Sequence, residues 1–114
     1  MKLLFASAVA VWFLAACDKA GTGNTCASTG GVFVDARDNQ VFDPASLQIT
    51  QTQKVCWENL GTVTHSMTSD NVATDSIDIT LPPDFTFTKG FGTIQDFSYH
   101  CRFHPGMVGV IHVR

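Results

Sequence analysis

The sequence predicts a small all-β domain, a two-sheet Greek-key β-sandwich of about eight strands, and three observations carry that expectation. From Gly31 onward, short runs alternating apolar and polar residues are separated by turn residues at regular spacing. No helical periodicity is sustained long enough to compete with this pattern. The prolines of Phe42-Asp43-Pro44 and Leu81-Pro82-Pro83 fall between the runs, as they should if the runs are strands. At 114 residues, 45% hydrophobic and 15% charged, the chain has room for one core.

Taken in order, the chain opens with Met1, Lys2 and an apolar run from Leu3 to Leu14, too short to span a bilayer, which reads as an export signal. Leu14-Ala15-Ala16-Cys17 resembles the bacterial lipoprotein signal, in which residues 1–16 are removed and the cysteine is acylated. The resemblance implies that Cys17 anchors the protein to a membrane at the periplasm or cell surface. An ordinary secretory peptide is the alternative. Asp18 resembles the signal that keeps lipoproteins on the inner membrane of Gram-negative bacteria. Residues 17–30 are small and polar and read as a flexible tether, leaving 31–114 for the folded domain. A net charge of −3 over the full chain argues against nucleic acid and against a polybasic membrane-binding surface.

Within the domain, Val32 and Val34 mark a first strand, Leu47 and Ile49 a second, Val55 and Trp57 a third, and Ser66 to Ser69 a fourth. Ile77 and Ile79, Phe85 and Phe87, Phe97 to Cys101, and Val108 to Val113 follow. The segment Asp70 to Asp75 is turn-rich and could hold a short helical piece. Trp57 and most of the phenylalanines are expected in the core, each contributing roughly 1.5–3 kcal/mol by burial.

The most informative stretch is Tyr99-His-Cys-Arg-Phe-His-Pro-Gly-Met107, where a cysteine, a histidine and a methionine follow at three-residue steps. Alternation puts Phe97, Tyr99 and Cys101 on one strand face, and Pro105 and Gly106 turn the chain so that His104 and Met107 return toward Cys101. Thiolate, thioether and imidazole together suit copper in both oxidation states. Zinc would accept Cys101 and histidines but gains little from Met107. Of the remaining histidines, His100 should face the opposite side of the sheet from Cys101, and His112 should lie on an exposed face. His65, after a short loop, is placed to close the site.

These residues resemble the cupredoxins, the blue copper family of plastocyanin, amicyanin and azurin. The resemblance runs from about Gly31 to Arg114 and rests on Cys101-x-x-His104-x-x-Met107, the upstream His65, and Trp57-Glu58-Asn59 before it. It implies one type 1 copper ion held by His65, Cys101, His104 and Met107. Thr64 and Met67 stand where many members have proline and valine. The resemblance also implies that the Ser66 N–H donates to the Cys101 sulfur. Phe103 replaces a proline of amicyanin and plastocyanin and keeps its N–H, so a second donor to the sulfur, and hence a higher potential, is expected.

Two of the four cysteines, Cys26 and Cys56, remain after Cys17 and Cys101 are assigned. In an oxidising compartment they invite a disulfide, with two free thiols as the alternative.

The expected function is electron transfer by a monomer rather than enzymic catalysis, with a copper storage or delivery module as the alternative. A copper enzyme would need a further histidine-only copper site. The partner would be a redox protein such as a c-type cytochrome or a membrane oxidoreductase. Electrons would leave through His104 beside Pro105, or through His100. Asp70, Asp75, Asp78 and Asp84 could steer a basic partner or merely keep the protein soluble.

Overall fold

The computed structural model describes Cys26, residues 32–71 and residues 75–114. The expected signal peptide, the lipid acceptor Cys17 and Asp18 lie outside the described residues, as does the tether apart from Cys26. Among the described residues there is no α-helix. Nine strands form two sheets: β1 (Val32–Arg37), β2 (Val41–Asp43), β3 (Ser46–Ile49), β4 (Lys54–Asn59), β5 (His65–Ser69), β6 (Asp78–Leu81), β7 (Phe85–Gly90), β8 (Gln95–His100) and β9 (Val108–Val113).

One sheet has the order β2-β1-β4-β7 and the other β3-β9-β8-β5-β6. The pairs β1–β4 and β3–β9 are parallel and the rest antiparallel, so the chain repeatedly crosses between sheets. The strand beyond the expected eight is β2. It has only three residues, too few to show alternation, and it ends at Pro44, which cannot continue a ladder. It forms because a turn with Gln40 at φ 66° folds it back on β1.

The inner faces enclose Val34, Phe42, Val55, Trp57, Phe97, Tyr99 and Ile111, with Tyr99 edge-on to both Trp57 and Phe42 at ring-centroid distances of 5.5 and 4.8 Å. Of the seven described phenylalanines, Phe42, Phe91 and Phe97 are buried in the core and Phe87 packs against it, in line with the expectation for most of them. Phe33 (41% exposed), Phe85 (40%) and Phe103 (47%) lie substantially in solvent. Phe33 takes the outer position between Val32 and Val34, Phe85 starts a strand at a sheet edge, and Phe103 stands on a loop.

Strand β4 is buried on both faces from Val55 to Asn59. Val55 and Trp57 point into the core. Cys56, on the other face, is bridged to Cys26 with a Cα–Cα distance of 5.5 Å, and the Cys26 N–H donates to the buried Glu58 carboxylate at 3.0 Å. The expected disulfide is therefore present, and it holds Cys26 on the outside of the first sheet.

Candidate metal centre

Register brings the site together. β5 runs antiparallel to β8 with Thr68 opposite His100 and Ser69 opposite Tyr99. The start of β5, His65, therefore lies past the end of β8, beside the chain that leaves His100. β8 and β9 form a hairpin with His100 opposite Val108, so residues 101–107 are its connecting loop. That loop closes on itself. The Cys101 N–H donates to the Met107 carbonyl at 2.9 Å, the His104 N–H to the Cys101 carbonyl at 3.4 Å, and the Met107 N–H to the His104 carbonyl at 3.1 Å. Gly106 sits at φ 91°, a backbone conformation that glycine adopts without a Cβ penalty.

At this end, His65 Nδ1 lies 3.2 Å from His104 Nδ1, and Cys101 Sγ lies 3.3 Å from the same nitrogen. One donor atom from each of His65, Cys101 and His104 falls within 4.8 Å of the others, and no other such metal-binding cluster of three occurs among the described residues. His65, Cys101 and Met107 are buried, and His104 is half-buried. Met107 ends the same loop, with its backbone bonded to Cys101.

Burial, and next the charge of His104, push the His65 imidazole below the ordinary histidine range, outweighing the Asp38 charge and the Arg37 carbonyl. His65 is thus neutral at neutral pH, with a lone pair free for a metal. Its Nε2 is buried and makes no hydrogen bond of good geometry. A buried thiol, two imidazole nitrogens turned toward each other, and a buried thioether on the same loop form a donor set that fits copper.

The surroundings of the sulfur are specific. The Ser66 N–H donates to Cys101 Sγ at 3.3 Å, and the Ser66 hydroxyl accepts from the Arg102 N–H at 2.9 Å. The same hydroxyl bonds Thr68 Oγ1 at 2.8 Å, which in turn donates to Asp78. Among the described residues the Phe103 N–H makes no bond to the sulfur, contrary to the expectation of a second donor. Phe103 lies inside the turn closed by the His104 N–H, and its ring instead receives the Arg102 guanidinium at 4.6 Å.

The other histidines stay out of the cluster. His100 Nδ1 pairs with Asp70 at 2.5 Å and His112 Nδ1 with Asp96 at 2.8 Å. The acidic stretch is also less bare than its sequence. Asp75 meets Lys89 at 3.4 Å, Asp78 meets Arg102, and Asp70 meets His100, which leaves Asp84 of the four without an ion pair among the described residues.

Two supports were not legible beforehand. Arg102 reaches Asp78 and Thr80 on β6, tying the ligand loop to the sheet edge. Asp38, in the β1–β2 turn, bonds the loop before His65. Each pairing spans more than twenty residues, and Asp38 in Asp38-Asn39-Gln40 reads only as a turn residue, so local pattern carries no signal for it.

No protein-family model matches the chain, and no curated protein matches it. Solved structures do. A purple cupredoxin from Nitrosopumilus maritimus is 24% identical, with the match covering 73% of this chain and 99% of that one at a TM-score of 0.63. The reduced state of an amicyanin variant is 20% identical, covering 75% and 84% at a TM-score of 0.67. An oxidised amicyanin variant is 18% identical, covering 75% and 83% at 0.66. At these identities the likeness is one of architecture, and this chain has the cupredoxin fold.

Proposed function

We propose that the protein is a type 1 copper electron carrier in which His65, Cys101, His104 and Met107 hold one copper ion. The observation that carries this reading is the convergence of His65 Nδ1, Cys101 Sγ and His104 Nδ1 beneath the surface, with the Ser66 N–H on the sulfur. Bound there, copper would supply one-electron chemistry between its cupric and cuprous states. The chain's own part is to hold the donors still. The self-closed loop keeps Cys101 and His104 in place, Ser66 orients the thiolate, and the buried imidazole of His65 stays neutral. A site that does not rearrange suits both oxidation states.

His104 is half-buried beside the exposed Phe103, Pro105 and Gly106. This apolar surface would let a redox protein, such as a c-type cytochrome or membrane oxidoreductase, approach within one imidazole of the site. Weak, small contacts of this kind suit transient exchange. His100, turned outward onto Asp70, is the second route. The ion pairs of Lys89 with Asp75 and of Arg102 with Asp78 weaken the case for acidic steering. The disulfide supports an exported location, since such bonds persist in oxidising compartments. Attachment to a membrane through Cys17 completes the reading, with the folded part acting as a monomer.

The test is the visible spectrum of copper-loaded protein. An intense thiolate-to-copper band that disappears on reduction is expected, and Cys101→Ser should abolish it while the far-ultraviolet circular dichroism of the β-domain persists. A band retained without Cys101 would sink the assignment.

A further inference from the structure

The loop from Asn59 to His65 crosses from the first sheet to the second and delivers the ligand farthest in sequence from the others. An outside carboxylate holds it. Asp38 Oδ1 accepts from the Thr62 N–H at 3.0 Å and from the Val63 N–H at 3.1 Å. Its Oδ2 accepts from the Thr62 N–H at 3.1 Å and from the Thr62 hydroxyl at 3.2 Å. The loop is shaped around this group: a Cβ at Gly61 would stand 2.0 Å from Asp38 Oδ1. Asn59 braces the same loop from within, its side-chain amide donating to the Val63 carbonyl at 2.7 Å and its carbonyl accepting from the Gly61 N–H at 2.9 Å.

The carboxylate also carries charge. The Thr62 and Val63 amides hold the Asp38 carboxyl below the ordinary carboxylate range, so it is anionic at neutral pH. No lysine or arginine forms an ion pair with it among the described residues; Arg37, its neighbour, is engaged by Asp35 and Asp43.

We propose that Asp38 is a positioning residue of the metal centre, fixing the His65 loop through Thr62 and Val63 and setting an uncompensated negative charge beside that ligand. This rests on the copper reading above. The two roles separate by substitution. In Asp38→Asn the amide carbonyl can still accept from both backbone N–H groups while its nitrogen donates to the Thr62 hydroxyl, so geometry is kept and charge is lost. In Asp38→Ala both are lost.

The experiment has a metal-free arm and a copper arm. In the metal-free protein, Asp38→Ala should speed hydrogen exchange at the Thr62 and Val63 amides by about tenfold or more, while Asp38→Asn should leave their protection within a fewfold of wild type. In copper-loaded protein, Asp38→Asn should keep the visible band and raise the reduction potential, because a nearby anion favours the more highly charged cupric state. Asp38→Ala should also release copper faster to a chelator. Unchanged exchange at Thr62 and Val63 in the alanine variant overturns the brace, and an unchanged or lowered potential in the asparagine variant overturns the charge. Failure of the wild-type protein to show the copper band overturns the copper reading instead, and leaves the exchange result to decide the brace alone.

Discussion

The two loops that assemble the site are built by opposite means. Residues 101–107 join neighbouring antiparallel strands and close on themselves through three backbone hydrogen bonds, so their shape follows from their own turn residues. Residues 59–65 join strands of different sheets and are held by side chains, with Asp38 from the β1–β2 turn on one side. On the other, Asn59 reaches the Leu81 carbonyl at the end of β6 at 2.8 Å. The first loop is a local structure that carries three of the proposed ligands; the second is a span whose ends are placed by the sandwich. Ligand spacing is therefore readable in the first and unreadable in the second.

That difference can be broken experimentally, beginning with the frame both loops share. Replacing Cys26 and Cys56 together by alanine should cost roughly 3–4 kcal/mol of stability in the chain-entropy model, measured by denaturant unfolding. The metal centre should persist at temperatures where the variant stays folded, since the bridge lies outside the first sheet. A copper band lost below the unfolding transition would mean that the frame and the site are coupled.

Within the second loop, Asn59→Ala removes three buried or half-buried hydrogen bonds and strands the Val63 and Leu81 carbonyls, at a cost of about 2–4 kcal/mol. Its signature should be local: faster amide exchange across 60–64 with the 101–107 turns unchanged. Spread of the effect into residues 101–107 would contradict the independence of the two loops.

In the first loop, Gly106→Ala tests the self-closed turn. Forcing a Cβ onto φ 91° should cost about 1–2 kcal/mol and perturb the His104–Met107 turn. A stability equal to wild type would show that this turn tolerates an L side chain and is not fixed by its glycine.

The smallest effect concerns the bridge. Burial raises the Glu58 carboxyl above the ordinary range; the Cys26 N–H opposes this, and neighbouring Asp35 adds to it. Such a group penalises folding once ionised. Stability should therefore fall as pH rises from the ordinary glutamate pKa through the raised one, and stay lower above it. Glu58→Gln can still accept the Cys26 N–H, so it should flatten that decline. Denaturation curves from about pH 4 to about pH 7 would check this, and an unaltered slope would locate the pH dependence elsewhere.

Much of this protein is settled by sequence alone, because the deciding forces act over a few residues. Period-two alternation specified eight of the nine strands, and Pro105 and Gly106 with the Cys101, His104 and Met107 spacing specified the ligand loop. Cys26 and Cys56 were legible as a pair through the roles expected of Cys17 and Cys101 rather than through geometry. The tertiary structure decided the rest. Strand β2 exists only as an edge against β1, being too short to show a period. Whether the Phe103 amide meets the sulfur depended on how the turn aims it, which composition cannot express. Three of the four acidic residues acquired partners, Lys89 and His100 from other strands and Arg102 from the 101–107 loop, so most of what is bare in sequence is met in space. His65 reaches Cys101 because β5 and β8 share a register, and the loop before it is held by Asp38 from another turn; contacts at such separations are fixed by packing two sheets together, a condition that no local pattern contains.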